Sequence, residues 1–207
     1  EADLTLAFVQ VPWEQANRFG LGLMEKGEAI QSNEGGRVLE YQEKPDKPLS
    51  NWASLTIYLF RRSVLESVLT ESAAKDTCYE FGRNIIPPMI HKNRVYGYKF
   101  FDYWGYTRTV DEYWKTNMDL LGDEPVINLE SWRIRTNLDH KSTRERQPTI
   151  IGPEAEIRNS LIYNGSNING KVENSILFPG VQIARGSEVR NSILMFDTKV
   201  GEEVLLD

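Results

Sequence analysis

One stretch of the chain has the residue types of a binding-site wall. It reads DYWGYTRTV, spans Asp102–Val110, and precedes a segment with helical periodicity. Tyr103, Trp104 and Tyr106 surround a single glycine there. Aromatic rings at that density either line a ligand pocket or pack between a sheet and a helix, since buried aromatic residues mostly serve the core. At this point the sequence leaves both interpretations open.

A second candidate for binding chemistry is cationic. Residues 122–147 form a polar connection that includes the run WRIRT. Arginine side chains suit phosphate oxygens, because the guanidinium fork can bind two of them at once. The connection is therefore either a solvated linker or an anion site for a phosphorylated effector. Its charges are Arg133, Arg135, Lys141, Arg144 and Arg146 against Asp139 and Glu145.

The composition excludes several classes of partner. A net charge of −6 over 207 residues argues against nucleic acids and anionic membranes, because both require a basic surface. No apolar run approaches the roughly 20 residues that cross a bilayer. The single cysteine, Cys78, excludes an intrachain disulfide and favours a reducing compartment. We therefore expect a cytoplasmic protein that binds neither nucleic acid nor membrane.

Residues 1–121 alternate between strand-like and helix-like segments, which predicts a mixed α/β domain. One helix is predicted to begin after an N-cap at Ser63, and a second is predicted to close at Gly122. The apolar face of the first helix comprises Val64, Leu65, Val68 and Leu69. The predicted strands are LTLAFVQV (Leu4–Val11), RVLEYQE (Arg37–Glu43), ASLTIYLF (Ala53–Phe60) and RVYGYKFF (Arg94–Phe101).

From Thr149 onward the sequence repeats itself. The segments RNSLI, ENSIL and RNSIL begin at Arg158, Glu173 and Arg190, which are 15 and 17 residues apart, close to three hexapeptides. This period predicts a parallel β-helix over residues 148–207, in which stacked coils bury the apolar side chains and the Asn-Ser pairs form ladders. Glycines at the corners are expected to adopt positive φ. They are Gly165, Gly170, Gly180 and Gly186.

Taken in order, the motifs resemble the carboxy-terminal half of the glucose-1-phosphate adenylyltransferase (ADP-glucose pyrophosphorylase) family. The resemblance implies part of a Rossmann-like nucleotidyltransferase α/β domain over 1–121, a linker over 122–147, and a left-handed parallel β-helix over 148–207. It also implies ATP binding and allosteric control in a homotetramer of glycogen biosynthesis. The motifs are ADLTLAFVQVPWEQANRFG, EYQEKP, ASLTIYLF, YEFGRNIIP, EYWKTNMDLL, WRIRT and NSLIYNGSNINGKVENSIL.

The resemblance also implies a site for glucose 1-phosphate and ADP-glucose. Gly20 matches a glycine whose backbone lies against the glucose, and Ser54 matches a serine that hydrogen-bonds it. Glu43 matches the residue on the sugar hydroxyls and Lys44 the residue on the phosphate. Carboxylate and ammonium groups suit these roles. Without the resemblance, Glu43 and Lys44 would be a solvated ion pair, Gly20 a turn residue and Ser54 an ordinary strand residue.

The chain departs from the family pattern where the family binds metal. Tyr106 stands where the family has an aspartate that holds Mg²⁺, and Arg108 and Thr56 stand where it has glycines. A neutral phenol is a poor ligand for Mg²⁺, which prefers anionic oxygens. The glycine-rich nucleotide loop is not found in the sequence either, since only FGLG and EGG approach it. We therefore expect the intact enzyme to use Mg²⁺ and this chain alone to bind none and to be inactive.

A sugar-nucleotide transferase for another sugar or base remains possible, and three further functions are weighed from the sequence. The first is a piece of a glucose-1-phosphate adenylyltransferase, and the second is a non-catalytic regulatory subunit of that family, which Tyr106 favours. The third, a hexapeptide-repeat acyltransferase, needs a histidine base in the β-helix. Only His91 and His140 occur, and neither lies after Gln147, so this function is disfavoured. The exposed coil ends of a β-helix predict a homo-oligomer or a complex with a partner subunit.

Overall fold

The computed structural model describes residues 1–25, 35–75, 79–133 and 145–207. The chain forms two compact units, Glu1–Asp102 and Tyr103–Asp207. Each unit has its own hydrophobic cluster. No helix among the described residues is both long and apolar enough to cross a membrane.

The first unit is built on a five-stranded mixed sheet with the order β3-β2-β4-β1-β5. Strands β1 and β5 are parallel, and the other neighbours are antiparallel. All four predicted strands are confirmed within a residue or two, but β2 was missed because two glycines weaken its strand signal. The strands are β1 (Leu4–Gln10), β2 (Gly20–Met24), β3 (Val38–Glu43), β4 (Trp52–Phe60) and β5 (Val95–Phe100).

Two α-helices cover one face of this sheet: α1 (Arg62–Ala73) and α2 (Ile86–Lys92), the latter preceded by one π-helical turn, Phe81–Ile85. Alternate residues of β1 point into the core, and this core also receives the apolar side chains of α2. Burying each such side chain stabilises the fold by about 1.5–3 kcal/mol. The central residues of this cluster are Leu4, Leu6, Phe8, Ile86, Met89 and Ile90.

The predicted N-cap of α1 at Ser63 is wrong. The helix begins at Arg62, and its N-cap is Arg61, whose side chain makes no cap hydrogen bond. The Arg61 N–H instead donates to the carbonyl of Asp3 at 2.9 Å, which fixes the turn from β4 into the helix two residues earlier. Val64 and Val68 pack against the core as predicted, whereas Leu69 is 42% exposed.

The second unit begins with the aromatic stretch and α3 (Val110–Met118). A capping box starts this helix: the Glu112 N–H donates to the Thr109 hydroxyl, and the Thr109 N–H donates to the Glu112 carboxylate. The predicted end at Gly122 is one turn too late. The N–H groups of Leu120 and Leu121 bond carbonyls only three residues back, so the chain has already left the α-helix.

Residues 150–206 form a parallel β-helix whose three faces are parallel sheets, which confirms the predicted architecture. Its left hand stays a prediction. The sheets have the strand orders β16-β13-β10-β7, β14-β11-β8 and β15-β12-β9-β6. The strands are β6 (Ile150–Ile151), β7 (Glu156–Arg158), β8 (Leu161–Ile162), β9 (Asn167–Ile168), β10 (Lys171–Glu173), β11 (Ile176–Leu177), β12 (Gln182–Ile183), β13 (Glu188–Arg190), β14 (Ile193–Leu194), β15 (Lys199–Val200) and β16 (Leu205–Leu206).

The predicted ladders of Asn-Ser pairs are confirmed. The Asn159 amide donates to Asn174 and the Asn174 amide donates to Asn191, both at 2.8 Å. Asn191 then donates to the carboxylate of Asp207 at 2.6 Å. All three asparagines have φ between 40° and 47°, a conformation that asparagine tolerates better than most residues. Each rung therefore also forms a corner of the coil.

The corner glycines obey the prediction with one exception. Gly165, Gly180 and Gly186 have φ between 70° and 82°. Gly170 does not have positive φ, so the prediction is wrong there. Close packing explains the glycine at position 170 instead, since a methyl group there would lie 2.7 Å from the Ser187 hydroxyl and 2.8 Å from the Ala184 carbonyl oxygen.

Candidate sugar-phosphate site

Strands β2 and β3 bring Gly20 and Glu43 together, because the two residues are directly paired in the antiparallel register. Gly20 is thus the first residue of a strand and not a turn residue. A methyl group in its place would overlap the Tyr41 hydroxyl and lie 2.8 Å from Glu43 Oε2. Close approach of these two side chains, rather than backbone conformation, requires glycine here.

Lys44 follows β3 directly and turns the chain. Its φ of 49° is uncommon for a residue with a side chain. Its N–H donates to the carbonyl of Phe19 at 3.0 Å, which ties the end of β3 to the residue before Gly20. The side chain of Lys44 is exposed to solvent. An ammonium group is therefore available at the end of the strand that carries Glu43.

Ser54 lies on β4 and is 6% exposed, and its hydroxyl lies close enough to those of Tyr41 and Tyr58 to influence the pKa of both phenols. Tyr41 and Tyr58 influence each other in the same way, so the three hydroxyls form one cluster. Sequence reasoning missed both tyrosines. Strand alternation could have found Tyr41, because it lies two residues before Glu43 and so on the same face of β3.

A bulge in β4 lies between Ser54 and Tyr58. In the pairing with β1, Ser54 faces Phe8 and Tyr58 faces Leu6, so three residues of β4 stand opposite Ala7 alone. In the middle of the bulge, Thr56 has a φ of 58°, which is strained for a β-branched residue. The Thr56 N–H donates to Ser54 Oγ at 3.3 Å. This is the position where the sequence has threonine in place of the family glycine.

After β2, β3 and β4, the turn Phe81–Ile85 is the fourth segment that contributes to the site. A methyl group at Gly82 would overlap Glu43 Oε2 and lie 3.5 Å from the Tyr41 hydroxyl. Gly20 and Gly82 therefore form a cradle around the Glu43 carboxylate and the Tyr41 hydroxyl. Gly82 was also missed, although it lies in the motif YEFGRNIIP. The described contacts thus bring Gly20, Glu43 and Ser54 together through Tyr41, and Lys44 joins them through its backbone.

The electrostatics of the site favour neutral hydroxyls beside one carboxylate. Burial raises the pKa of the Tyr41 hydroxyl, and the neighbouring Tyr58 and Glu43 raise it further. Burial also raises the pKa of Tyr58. Both phenols therefore stay protonated at neutral pH and can donate hydrogen bonds. Hydroxyl donors, a carboxylate acceptor and a nearby ammonium are suited to a ligand that carries both hydroxyl and phosphate groups.

The described residues do not fit Mg²⁺. Among residues 1–25, 35–75, 79–133 and 145–207, no group of three or more histidine, cysteine, aspartate or glutamate side chains is placed to hold a metal. Mg²⁺ requires several hard oxygen ligands. In place of the expected aspartate, Tyr106 packs its ring on Trp104, with ring centroids 5.4 Å apart. No chemical step of this chain is therefore assigned to a metal.

The aromatic stretch packs inside the second unit. The Tyr103 hydroxyl donates to Asp119 at 2.7 Å, and its ring meets Trp132 edge-on. A methyl group at Gly105 would lie 2.6 Å from the side chain of Thr116 on α3. For Tyr103 and Gly105, these contacts support the aromatic-packing interpretation.

The basic connection is described only at its ends. Residues 134–144, with Arg135, Asp139, His140, Lys141 and Arg144, lie outside the described residues, as does Cys78. The guanidinium of Arg146 donates to both carboxylate oxygens of Asp197, at 2.6 and 2.8 Å. Arg146 also packs along Gly165 and Gly180. This arginine is thus used to anchor the connection on the β-helix.

Comparisons with known proteins give two family matches. Residues 1–123 match the nucleotidyl transferase family, and residues 149–207 match the GlmU-like, C-terminal hexapeptide family.

Several glucose-1-phosphate adenylyltransferases are similar to the chain. The one from Acetivibrio thermocellus is 37% identical over 97% of this chain and 45% of its own length. Those from Desulforamulus reducens and Halalkalibacterium halodurans are 35% and 40% identical, over 100% and 91% of this chain and 50% and 47% of their own lengths. The chain spans about half the length of these curated relatives.

Proposed function

Because the chain belongs to the nucleotidyl transferase family, we propose that it is the carboxy-terminal half of a glucose-1-phosphate adenylyltransferase. The parent enzyme would convert ATP and glucose 1-phosphate into ADP-glucose and pyrophosphate for glycogen biosynthesis, with Mg²⁺ as its cofactor. Similarity to such enzymes along almost the whole chain supports this proposal. The part described above would supply sugar contacts and assembly surfaces, and the other half would supply the nucleotide loop.

The observation that carries the proposal is the convergence of Gly20, Glu43 and Ser54 beside Lys44. In the proposed complex, Glu43 accepts hydrogen bonds from hexose hydroxyls and Ser54 adds a further bond. The Gly20 backbone lies against the sugar in this complex, since a glycine permits close approach of a ligand. Lys44 attracts the phosphate as a flexible point charge.

Calorimetric titration with glucose 1-phosphate tests this assignment. Lys44→Ala is expected to weaken binding by about 1.5–3 kcal/mol, the usual contribution of a hydrogen bond to a charged group. Lys47→Ala is a matched control, because Lys47 is an exposed lysine three residues further along the chain. Equal affinity of wild type and Lys44→Ala would remove Lys44 from the site, and no binding by wild type would make the site vestigial.

A second function is favoured by one observation. Tyr106 stands at the position of the metal-binding aspartate, and its ring packs on Trp104. A protein that lacks this carboxylate could serve as a non-catalytic regulatory subunit of the same family. The intact protein should then form no ADP-glucose alone and should alter the rate or effector response of a catalytic partner. Formation of ADP-glucose by the purified intact protein would exclude this function.

The remaining proposals concern assembly, location and regulation. Exposed apolar residues at the first coil of the β-helix, Ile150 and Ile151, support a homo-oligomer, which we propose is a tetramer in the intact protein. A strict monomer in light scattering at high concentration would contradict it. The lone cysteine supports a cytoplasmic location. A phosphorylated effector at the basic connection would have to use cations other than Arg146, whose guanidinium is already bound to Asp197.

A further inference from the structure

The Tyr41 hydroxyl occupies an unusual place in the first unit. Tyr41 is 6% exposed, yet its polar end faces the cradle formed by Gly20 and Gly82 and not the apolar core alone. A methyl group on either glycine would come into contact with both this hydroxyl and Glu43 Oε2. The phenol oxygen and the carboxylate are therefore neighbours, and they occupy space that is free because Gly20 and Gly82 have no side chain.

The same hydroxyl belongs to a cluster with those of Ser54 and Tyr58, in which each phenol influences the pKa of the other. Ser54 and Tyr58 pair with Phe8 and Leu6 on either side of the bulge of β4, which contains the strained Thr56. The Tyr58 ring also contacts Phe81, in the turn that carries Gly82, with ring centroids 5.5 Å apart. Backbone strain is retained where the surrounding structure requires it, and such sites are often functional.

We propose that Tyr41 is a positioning and specificity residue of the sugar site, where its hydroxyl holds Glu43 and Ser54 in the arrangement that recognises the hydroxyl groups of a hexose 1-phosphate. This inference rests on the proposed function, because it assigns Tyr41 to the site of Glu43, Lys44 and Ser54. Tyr41 acts through these neighbours, so its effect should fall on the sugar and not on the phosphate.

Selectivity follows from the burial of the Tyr41 and Ser54 hydroxyls. A site built to bond a ligand hydroxyl rejects an analogue that leaves a buried polar group unpaired. An epimer such as galactose 1-phosphate has the same charge and size as glucose 1-phosphate but a different direction of one hydroxyl. Loss of the Tyr41 hydroxyl frees Ser54 and Glu43 to readjust, and discrimination between the two sugars should decrease.

The test is calorimetric titration of the full chain with glucose 1-phosphate, galactose 1-phosphate and inorganic phosphate. Tyr41→Phe removes one oxygen and keeps the ring, and Tyr98→Phe is a matched control on an exposed tyrosine of β5. We expect Tyr41→Phe to bind glucose 1-phosphate about tenfold more weakly, as for loss of one buried hydrogen bond. The ratio of glucose to galactose affinities should fall, while phosphate affinity and the Tyr98→Phe variant match wild type.

Each outcome is decisive. An unchanged affinity ratio in folded Tyr41→Phe would overturn the inference and leave the proposed function intact. A wild type that binds neither sugar phosphate would overturn the proposed function and this inference with it. If Tyr41→Phe does not fold, Tyr58→Phe carries the test, because it removes another hydroxyl of the same set. A reduced glucose-to-galactose ratio in that variant supports the inference, and an unchanged ratio overturns it.

Discussion

The β-helix repeats one local arrangement of residues, whereas the site on the mixed sheet of the first unit is built from residues that do not repeat. In the β-helix, one device is repeated: an asparagine with positive φ turns a corner and bonds the asparagine of the next coil. In the sheet, no device is repeated, and the site takes one or two residues from each of β2, β3, β4 and the turn before α2. Repetition makes a fold predictable, whereas a site depends on single exceptions to the pattern.

The largest expected effect is in the repeated region, where each coil buries few side chains. Leu177→Ala empties a fully buried position of β11 and should lower the free energy of unfolding by about 2–5 kcal/mol in a urea titration. Leu205→Ala is the matched control in β16, because Leu205 is 63% exposed and should change stability by no more than about 0.5 kcal/mol. Equal losses in the two variants would mean that the coil core does not govern stability.

The asparagine ladder should contribute less than the core. Asn174→Ala removes two ladder bonds and forces alanine into a φ of 47°, with an expected loss of about 2 kcal/mol. Asn174→Gly removes the same bonds but accepts the conformation, so we expect a loss of about 1 kcal/mol. Urea unfolding of both variants separates the two contributions. A glycine variant as stable as wild type would show that the rungs act only as corners.

In the sheet, replacing the strained Thr56 of β4 should increase stability, whereas the substitutions in the β-helix should decrease it. Thr56→Gly relieves the strain of a β-branched residue at a φ of 58°, and after the entropic cost of glycine it should stabilise the fold by about 0.5–1 kcal/mol. Thr56→Ala keeps a Cβ at this φ and should gain less. Thermal unfolding measures both changes. A destabilised glycine variant would mean that Thr56 makes contacts that outweigh its strain.

The smallest effect concerns one ion pair at the start of the sheet. Arg94 donates to both carboxylate oxygens of Asp3, and these bonds lower the pKa of that carboxyl to about 2. A lowered carboxyl pKa stabilises the fold above the unfolded value of about 3.9 and loses this effect as the pH falls toward 2. Asp3→Asn should therefore lower the melting temperature slightly at pH 7, and the difference should shrink between pH 4 and about pH 2. A difference that is constant over this range would contradict the assignment.

The sequence predicts the repeated region well and the exceptional region only in part. The Asn-Ser pairs, the corner glycines and the coil period are local features, so they could be recognised without the fold. The role of Gly82 could not, because it depends on contact with Glu43 and Tyr41 of β3, which are remote in sequence. Strand alternation from Glu43 could have found Tyr41, but not its neighbours on β2 and β4. Gly170 and Ser63 were misjudged for the same reason: Ser187 and Asp3, the residues that decide their surroundings, lie elsewhere in the chain.

The central claim is that Glu43, Lys44 and Ser54 bind a hexose 1-phosphate beside the cradle of Gly20 and Gly82. A crystal structure of the chain soaked with glucose 1-phosphate tests it most directly. We expect density for the sugar with its hydroxyls within hydrogen-bonding distance of the Glu43 carboxylate and its phosphate beside Lys44. Sugar phosphate bound elsewhere on the first unit, with no contact to Glu43 or Lys44, would contradict the account.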